Sequence, residues 1–272
     1  MVRAALLLSS AWIAAAIPIL PVEAQAPADH TRFTELLQEV VEFPRVDYQE
    51  VLRHRGILDA YMEELAATDP DRLTREPEEV QLTFWINAYN ACMLQIVADH
   101  YPIERGGVGL LQGARNLLAS RPSNSVWWIR DVFDGPHCRV AQADRSLDEI
   151  EHEIIRPRFG EPRIHFAVNC AALSCPPLWP EAYEPDRLEE QLQRATENFM
   201  EDPEHFRIEE GSPPTLRVNR VLDWFGEDFG NEDGIKEFFA ARVGGNQARI
   251  LRNPETRVDY FDYDWTLNDV DP

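Results

Sequence analysis

The segment HFAVNCAALSCPP, residues 165 to 177, carries the side chains best suited to chemistry. His165, Asn169, Cys170 and Cys175 fall within eleven positions. A thiolate is a strong nucleophile, and a neighbouring histidine is a common activating base. A disulfide or a metal site would use the same side chains without catalysis. The segment therefore poses a choice between a thiol active site, a disulfide-locked loop and a metal clip.

The spacing constrains the thiol alternative. RIHFAVN alternates apolar and polar or small residues, which predicts a strand with His165 and Asn169 on one face. Five extended residues would then separate His165 from Cys170 by about 17 Å and place them on opposite faces. A thiolate and its base must approach to roughly 3 Å. The pair requires a sharp turn after Val168, or a return of Cys175 through AALSCPP.

The other two alternatives depend on different distances. A disulfide between Cys170 and Cys175 requires only that their Cα atoms come within about 7 Å. The four-residue gaps between His165, Cys170 and Cys175 match no common structural-zinc spacing, so we predict neither a metal nor another cofactor. Cys92 and Cys138 make the cysteine count even, which allows three full pairings. Pairing of a loop cysteine with either of them remains open.

Asn87 and Asn90 lie three residues apart within VQLTFWINAYNACMLQIVADHYP, which is apolar nearly all round and predicts a buried central helix ended by Pro102. Buried amides need partners, since an unpaired one costs about 1–3 kcal/mol. One interpretation is that they hold the backbone of neighbouring loops. The other is that one of them faces the active site, as an oxyanion donor or as the group that orients a histidine.

Two further groups are candidates for the site. His152 follows Asp148 by four residues on a predicted helix, so an exposed ion pair is one interpretation and proximity to His165 the other. Asp264 and Asp262 alternate with aromatic residues in RVDYFDYDW, which predicts a final strand with both acids on one face. One of these acids is a candidate to orient a histidine; both are also compatible with a solvated edge.

The remaining elements indicate a helix-rich α+β fold around a small mixed or antiparallel sheet. Residues 31–67 predict helices broken at Pro44 and near Gly56, and GLLQGARNLLAS predicts a short apolar helix. VWWIRDVF and HCRVA predict a hairpin around DGP, and Ser146 begins a helix with capping-box spacing to Glu149. Further helices are predicted in PDRLEEQLQRATENFM and DGIKEFFAAR, and a hairpin around EEGSPP.

The N-terminus predicts export. Arg3, an apolar run from Ala4 to Leu20 and small residues before Ala24 or Ala26 are typical of a signal peptide, residues 1–24, cleaved after one of these alanines. We therefore expect a periplasmic or secreted protein without stable membrane insertion, with a single domain over residues 30–272. The net charge of −22 argues against nucleic acid and anionic lipid as partners.

Three blocks together resemble a known family: FWINAYNA, SLDEIEH with PRIHFAVNCAALSCPPL, and FDYDWTLND. They are similar to domain of unknown function 547 (DUF547), over roughly residues 75–265. The family name supplies no reaction, and Cys92 and Cys138 fall outside its motifs. The resemblance implies that the following residues occupy motif positions: Asn87, Asn90, Glu151, His152, His165, Cys170, Cys175 and Asp264.

The order of elements also resembles transglutaminase-like and papain-like thiol enzymes, in which a helix-borne cysteine meets a strand-borne histidine and then an aspartate. Here the helix carries Asn87 near its start, and Cys92 lies five residues deeper. Either the nucleophile is therefore Cys170 or Cys175 instead of a helix-borne cysteine, or the site does not perform that chemistry.

Two functional hypotheses follow, and the sequence leaves open whether the protein is an enzyme. The first is a thiol-dependent hydrolase or acyl transferase acting on peptide or amide substrates, with Cys170 or Cys175 as nucleophile and His165 as base. In it Asp264 or Asn87 orients the base. The second is a non-catalytic envelope module with a disulfide-locked loop. Its small-molecule or peptide ligand contacts polar groups of the block, and the residues assigned to binding are Asn90, Asn169, Glu151 and His152.

Overall fold

The structure, a computed structural model, describes residues 27–271, so the expected signal peptide lies outside the described residues. Helices dominate, and with the small sheets they confirm the helix-rich α+β class. The helices are α1 Thr31–Val40, α2 Tyr48–Arg53, α3 Arg55–Ala67, α4 Pro70–Leu73, α5 Glu78–His100, α6 Leu110–Leu118, α7 Arg156–Phe159, α8 Leu188–Glu201, α9 Val221–Trp224, α10 Asn231–Ala240 and α11 Gly245–Leu251.

The strands form three small sheets. They are β1 Val41–Glu42, β2 Arg45–Val46, β3 Cys138–Val140, β4 Ala143–Arg145, β5 Phe206–Glu209, β6 Thr215–Val218 and β7 Arg257–Tyr260. β1–β2 and β3–β4 are antiparallel pairs. In the third sheet β6 is central, antiparallel to β5 and parallel to β7. The predicted mixed sheet is therefore present, and it includes the hairpin expected around EEGSPP.

Helix α5 is the buried central element that the sequence predicts. Every residue from Gln81 to Ala98 is buried except Gln95. Two glutamates occupy its first turn, where the helix dipole favours negative charge, and Pro102 follows its end. α2, α3 and a π-helix, Glu149–Ile155, pack against it. A disulfide joins Cys92 of α5 to Cys138 of β3, with their Cα atoms 5.9 Å apart.

Two apolar clusters meet at the segment that carries the histidine. The larger one contains the N-terminal helices and α5, and the smaller one contains β5, β6, α10 and α11. Ile164 and Ala167 belong to the larger cluster, whereas Phe166 belongs to the smaller. The segment is therefore buried on both sides, which fixes its backbone between the two clusters.

This burial explains why the predicted strand RIHFAVN is wrong. Residues Pro162–Phe166 form a 3₁₀ helix, with Pro162 in its first turn and the Glu161 carboxylate accepting the Arg163 backbone N–H at 3.0 Å. Proline and an acidic cap both favour a helical start. Because Ile164, His165 and Phe166 are all buried, the alternation did not mark two faces of a sheet.

The hairpin predicted around DGP is also wrong. Val126–Trp128 is a 3₁₀ helix, and β3 pairs instead with β4. The turn between them places Ala141 and Gln142 at positive φ, which the sequence does not signal because neither residue is glycine or asparagine. Their backbone N–H groups donate to carbonyls of α3 at 2.9 and 3.0 Å, which holds the turn.

Two other predictions have mixed outcomes. Ser146 Oγ accepts the Glu149 backbone N–H at 3.0 Å, as the capping-box spacing predicts, although the helix that follows is a π-helix. The final strand ends at Tyr260, so Asp262 and Asp264 lie beyond it. The helices predicted in residues 31–67, in GLLQGARNLLAS, in PDRLEEQLQRATENFM and in DGIKEFFAAR are present.

Candidate functional site

The loop after Val168 brings the two cysteines of the block together. Cys170 and Cys175 are free thiols whose sulfurs lie 2.8 Å apart, and the backbone N–H of Cys170 donates to Cys175 Sγ at 2.9 Å. Ala171, at positive φ, makes the turn that returns the chain. The sharp turn that the sequence argument required after Val168 is therefore present, and it juxtaposes the cysteines with each other.

Asn169 holds this turn at both ends. Its Oδ1 accepts the Ala171 backbone N–H at 2.9 Å, and its Nδ2 donates to the Pro176 carbonyl at 2.8 Å. Its own backbone N–H donates to Asn90 Oδ1 at 2.8 Å. Asn169 is buried, so these bonds are shielded from water. The loop is thus fixed to the central helix by hydrogen bonds between side chains and backbone.

The C-terminal segment places a tyrosine against the thiols. Leu173 and Ser174 donate backbone hydrogen bonds to Thr266 and Asp264 at 2.8 and 3.2 Å, so residues 264–266 run beside the loop. Tyr263 precedes this contact, and its hydroxyl lies 3.2 Å from Cys170 Sγ. Cys170 therefore has two protic neighbours, a second thiol and a phenol.

The surroundings separate the two thiols in acidity. Burial raises the pKa of Cys170, but hydrogen bonds from Cys175, Tyr263 and the Ala172 N–H outweigh burial and leave the pKa below its ordinary value. Burial and the adjacent Cys170 raise the pKa of Cys175 well above its ordinary value. Cys170 is therefore the more acidic thiol of the pair, and Cys175 is the less acidic one.

His165 lies between two carboxylates. Its Nε2 is 2.7 Å from Asp228 Oδ2, and its Nδ1 is 3.5 Å from Glu151 Oε1. Asp228 is also held by Arg156, whose Nε lies 2.6 Å from Oδ2. The Phe225 ring stacks on the imidazole with a centroid separation of 4.2 Å. Arg156, Asp228, His165 and Glu151 thus form a chain of alternating charge.

This chain favours the imidazolium. Burial lowers the pKa of His165, but the bonds with Asp228 and Glu151 outweigh it, so the pKa is raised. Burial raises the pKa of Asp228, and His165 and Arg156 outweigh it and hold the pKa well below its usual range. Because both ring nitrogens face carboxylates, both act as donors in the charged form.

The π-helix presents three polar side chains to the same cavity: Asp148 at its start, Glu151 and His152. π-helical turns are rare and often occur at functional sites. His152 Nε2 lies 3.7 Å from Asp148 Oδ1, the pair predicted from their spacing. Phe225 lies against both histidines, with its ring centre 5.8 Å from that of His152. The two histidines therefore share one cavity.

The cavity has a volume of about 240 Å³. Cys170, Cys175 and His165 line it, together with the acids and the histidine of the π-helix. Its remaining walls are largely aromatic and come from four parts of the chain. The aromatic residues of these walls are Tyr89, Trp127, Phe133, Trp224, Phe225, Tyr263 and Trp265. An apolar cavity with a few convergent polar groups is the usual form of a small-molecule site.

Besides Asn169, which holds the turn, three predicted residues do not line the cavity. Asn87 exchanges two hydrogen bonds with the Tyr183 backbone, at 2.8 and 2.9 Å, and Asn90 donates to the Ala167 carbonyl at 3.0 Å. Asp264 is exposed, and its Oδ1 accepts the Thr266 N–H. None of the three lines the cavity. Both asparagines hold loop backbone, the first of the two interpretations given for them.

No motif in the sequence indicates that Asp228 or the aromatic residues of the walls belong to the site. Asp228 lies in DWFGEDFG, which has no motif spacing and reaches His165 only through the packing of the smaller apolar cluster. Tyr263 belongs to the alternating segment RVDYFDYDW, and its position against Cys170 depends on the loop contact.

Within residues 27–271, no group of three or more His, Cys, Asp or Glu side chains is arranged to hold a metal ion. In the same range no helix combines the length and the apolar character needed to cross a bilayer.

Comparison with known proteins supports one relationship. No curated protein and no solved structure matches the chain significantly. One family model matches part of it, and the matched range contains α5, the π-helix and the thiol loop but ends before Asp228 and Tyr263. The resemblance expected from the motifs extended further, to about residue 265. Over residues 73–200 the chain resembles the family described as "Protein of unknown function, DUF547".

Proposed function

We propose that the cavity is the active site of a thiol-dependent hydrolase or acyl transferase acting on peptide-like or amide substrates, with Cys170 as the nucleophile. One observation carries the proposal. Cys170 is partly exposed at an aromatic cavity, and Cys175, Tyr263 and a backbone N–H lower the pKa of its thiol. A depressed thiol pKa in an accessible cavity distinguishes a reactive cysteine from a structural one.

The reaction would proceed in two steps. The Cys170 thiolate attacks the substrate carbonyl carbon, a C–S bond forms, and the carbonyl electron pair moves to oxygen. Collapse breaks the C–N bond, and the leaving amine takes a proton from the His165–Glu151 pair. Water, or an acceptor amine, then attacks the thioester and returns a proton to that pair. Cys170 leaves as the thiolate, so atoms and charge balance.

This assignment changes how His165 acts. No direct contact joins its ring to the thiols, because its nitrogens face Asp228 and Glu151. Glu151 acts on Cys170 through its charge, which raises the thiol pKa and therefore opposes the thiolate. We assign Glu151 as the group that relays the proton between the cavity and His165.

Trapping of the acyl-enzyme tests the proposal. The protein is incubated with an activated aryl ester or a peptide amide panel, and intact mass spectrometry follows covalent addition. We expect addition at Cys170, loss of addition in Cys170→Ala and retention in Ser174→Ala, which alters the same loop without touching the sulfurs. Addition that persists in Cys170→Ala would contradict the assignment.

A second candidate rests on the 2.8 Å separation of the two sulfurs. In this candidate the protein is a non-catalytic binding module, and the cysteines are joined as a disulfide that locks the loop around a ligand. Oxidation of the two thiols to a disulfide releases two electrons and two protons, which a thiol oxidant of the compartment would accept. The change would need little movement, because the backbone turn already brings the sulfurs together. Mass spectrometry of the protein taken from cells distinguishes the two, because only the binding module requires an oxidised pair.

We also infer an exported protein, periplasmic or secreted. The N-terminal sequence supports this, and so does the Cys92–Cys138 disulfide, since such bonds persist in oxidising compartments. Cell fractionation with N-terminal sequencing tests it: export predicts a start after Ala24 or Ala26, and an unprocessed chain in the cytoplasm would contradict it.

A further inference from the structure

Helix α6 exposes its apolar side to solvent. Leu110 is 95% exposed, Leu111 80%, Leu117 58% and Leu118 87%. At about 100° per residue, these four leucines lie within one side of the helix. A contiguous exposed apolar face on an otherwise polar surface marks an interaction site.

Hydrogen bonds fix this orientation. Gln112 donates to the carbonyls of Trp127 and Ile129 at 3.3 and 3.0 Å, and Asn116 donates to the Trp127 carbonyl at 2.6 Å. Asn116 is buried. The polar side of α6 therefore faces the protein and its apolar side faces outward, the reverse of an ordinary surface helix.

The charge around α6 is also reversed relative to the rest of the protein. Residues 105–130 contain four arginines and no aspartate or glutamate, in a chain with a net charge of −22. Arg105, Arg115 and Arg130 are exposed. The exposed acids Glu104 and Asp131 lie just outside this range. Outward leucines accompanied by these arginines complement a surface that is apolar inside and anionic at its boundary.

We propose that α6 docks into the interface of an anionic lipid bilayer, with its leucines at the acyl boundary and the arginines among the headgroups. Interfacial helices bind through buried apolar area together with attraction to anionic lipid. The proposal is independent of the thiol chemistry. The surface around α6 is locally rich in arginine, although the net charge of the whole chain, −22, disfavours anionic lipid.

A second copy of the chain fits this surface less well. Among the described residues, the other exposed large apolar side chains, Phe43, Leu52 and Trp224, are separate from one another in sequence and form no comparable helix face. Pairing of α6 with its own copy would bring the arginines of both copies together, which repulsion opposes.

Docking would place the cavity beside the bilayer. Arg121 follows α6, and its guanidinium lies over the rings of Trp127 and Trp265, at 4.6 and 4.5 Å from their centres. Both rings line the cavity, and the Trp127 carbonyl accepts the bonds from α6. Helix α6 is therefore hydrogen-bonded to a residue of the cavity wall.

The test uses the full chain with vesicles of phosphatidylcholine, alone or mixed with phosphatidylglycerol. Flotation measures binding, and hydrogen exchange measures protection of residues 110–118. We expect flotation with the anionic vesicles and protection of α6. We also expect a loss of binding of roughly tenfold or more in Leu110→Ser/Leu111→Ser/Leu117→Ser/Leu118→Ser, and weaker binding at high salt. Leu52→Ser, an isolated exposed leucine on α2, is the matched control and should bind as the wild type does.

The local readout separates α6 from the N-terminal apolar run, which is present in every variant. Flotation without protection of residues 110–118, or unchanged binding by the four-serine variant, would overturn the proposal. So would sedimentation showing dimers that depend on these leucines together with no vesicle binding. Unchanged far-ultraviolet circular dichroism of the four-serine variant would confirm that it is folded. Arg105→Glu/Arg115→Glu, which leaves the leucines in place, is a second variant in which we expect loss of binding.

Discussion

The two ends of the cavity stabilise charge in different ways. At one end His165 is held by full opposite charges, Asp228 and Glu151, and Arg156 neutralises Asp228 in turn. At the other end, within residues 27–271, Cys170 has no cation within hydrogen-bonding distance, and neutral donors lower its pKa: a thiol, a phenol and a backbone N–H. The histidine end is an ion-pair chain, and the thiol end is a set of hydrogen bonds.

This difference predicts which property substitutions at each end should change first, stability or reactivity. Removing one charge from the ion-pair chain leaves a partly buried partner without its counter-charge. We therefore expect such substitutions to lower stability first. Removing one donor from the thiol end should leave the fold intact, because Asn169 holds the loop. We therefore expect such substitutions to lower the reactivity of Cys170 first.

The largest effect is expected at Cys170, the proposed nucleophile. Cys170→Ala should reduce acyl transfer by roughly a thousandfold or more, because no other group replaces the thiolate. Cys175→Ala should retain turnover at reduced rate, since it removes a donor and not the nucleophile. Steady-state rates of the two variants check this, and equal losses in both would indicate that the cysteines act as one structural unit.

Asp228→Asn should lower the free energy of unfolding by about 1–2 kcal/mol, because Asp228 holds both His165 and Arg156 and is partly exposed. The matched control is Glu227→Gln, which alters an exposed partner of Arg156 without touching His165 and should have a smaller effect. Guanidinium denaturation measures both.

The same variant predicts a pH dependence. The stabilisation from Asp228 is present above the ordinary carboxyl pKa of 3.8 and is lost as the pH falls through its lowered value. The stabilisation from His165 is complete below its ordinary pKa of 6.5 and is lost as the pH rises through its raised value. The stability difference between wild type and Asp228→Asn should therefore be larger at about pH 5.5 than at about pH 9. A difference that grows with pH would contradict the imidazolium assignment.

Tyr263→Phe should raise the pKa of Cys170, because it removes one of the donors that lower it. Alkylation of Cys170 at neutral pH should then slow by roughly three- to tenfold, with unchanged stability. Tyr260→Phe, which lies on β7 away from the thiols, is the control. Loss of stability without a change in alkylation would place Tyr263 with the structural residues.

The smallest effect is expected at Asp264. Its side chain is exposed and accepts the Thr266 N–H, so Asp264→Asn should change activity by about twofold or less. A loss comparable to that of Cys170→Ala would show that Asp264 takes part in the reaction, as its motif position implies.

The sequence predicted the elements that depend on local signals. The uniform apolarity of α5, the Ser146 cap and the breaks in the N-terminal helices were all readable from neighbouring residues. The strand at His165 was misread because burial between two clusters produces an apolar pattern that resembles alternation. The β3–β4 turn was missed because distant carbonyls of α3 hold it.

The site was predictable to the extent that its residues are close in sequence. Cys170, Cys175, His165, Glu151 and His152 were selected from two adjacent blocks, and the structure brings them to one cavity. Asp228 and Tyr263 come from later segments that reach the site only through the packing of the smaller cluster and the pairing of residues 264–266 with the loop. No spacing in the sequence encodes those contacts.

The proposed function requires that Cys170, and not Cys175, is the reactive thiol of the cavity. The most direct measurement is the alkylation rate of each cysteine by iodoacetamide across a pH series, followed by peptide mass spectrometry with and without prior reduction. We predict that Cys170 is labelled without reductant, with an apparent pKa below the free-thiol value of about 8.5, while Cys175 reacts slowly throughout. A Cys170–Cys175 disulfide that is labelled only after reduction, or a Cys170 with an ordinary pKa, would contradict it.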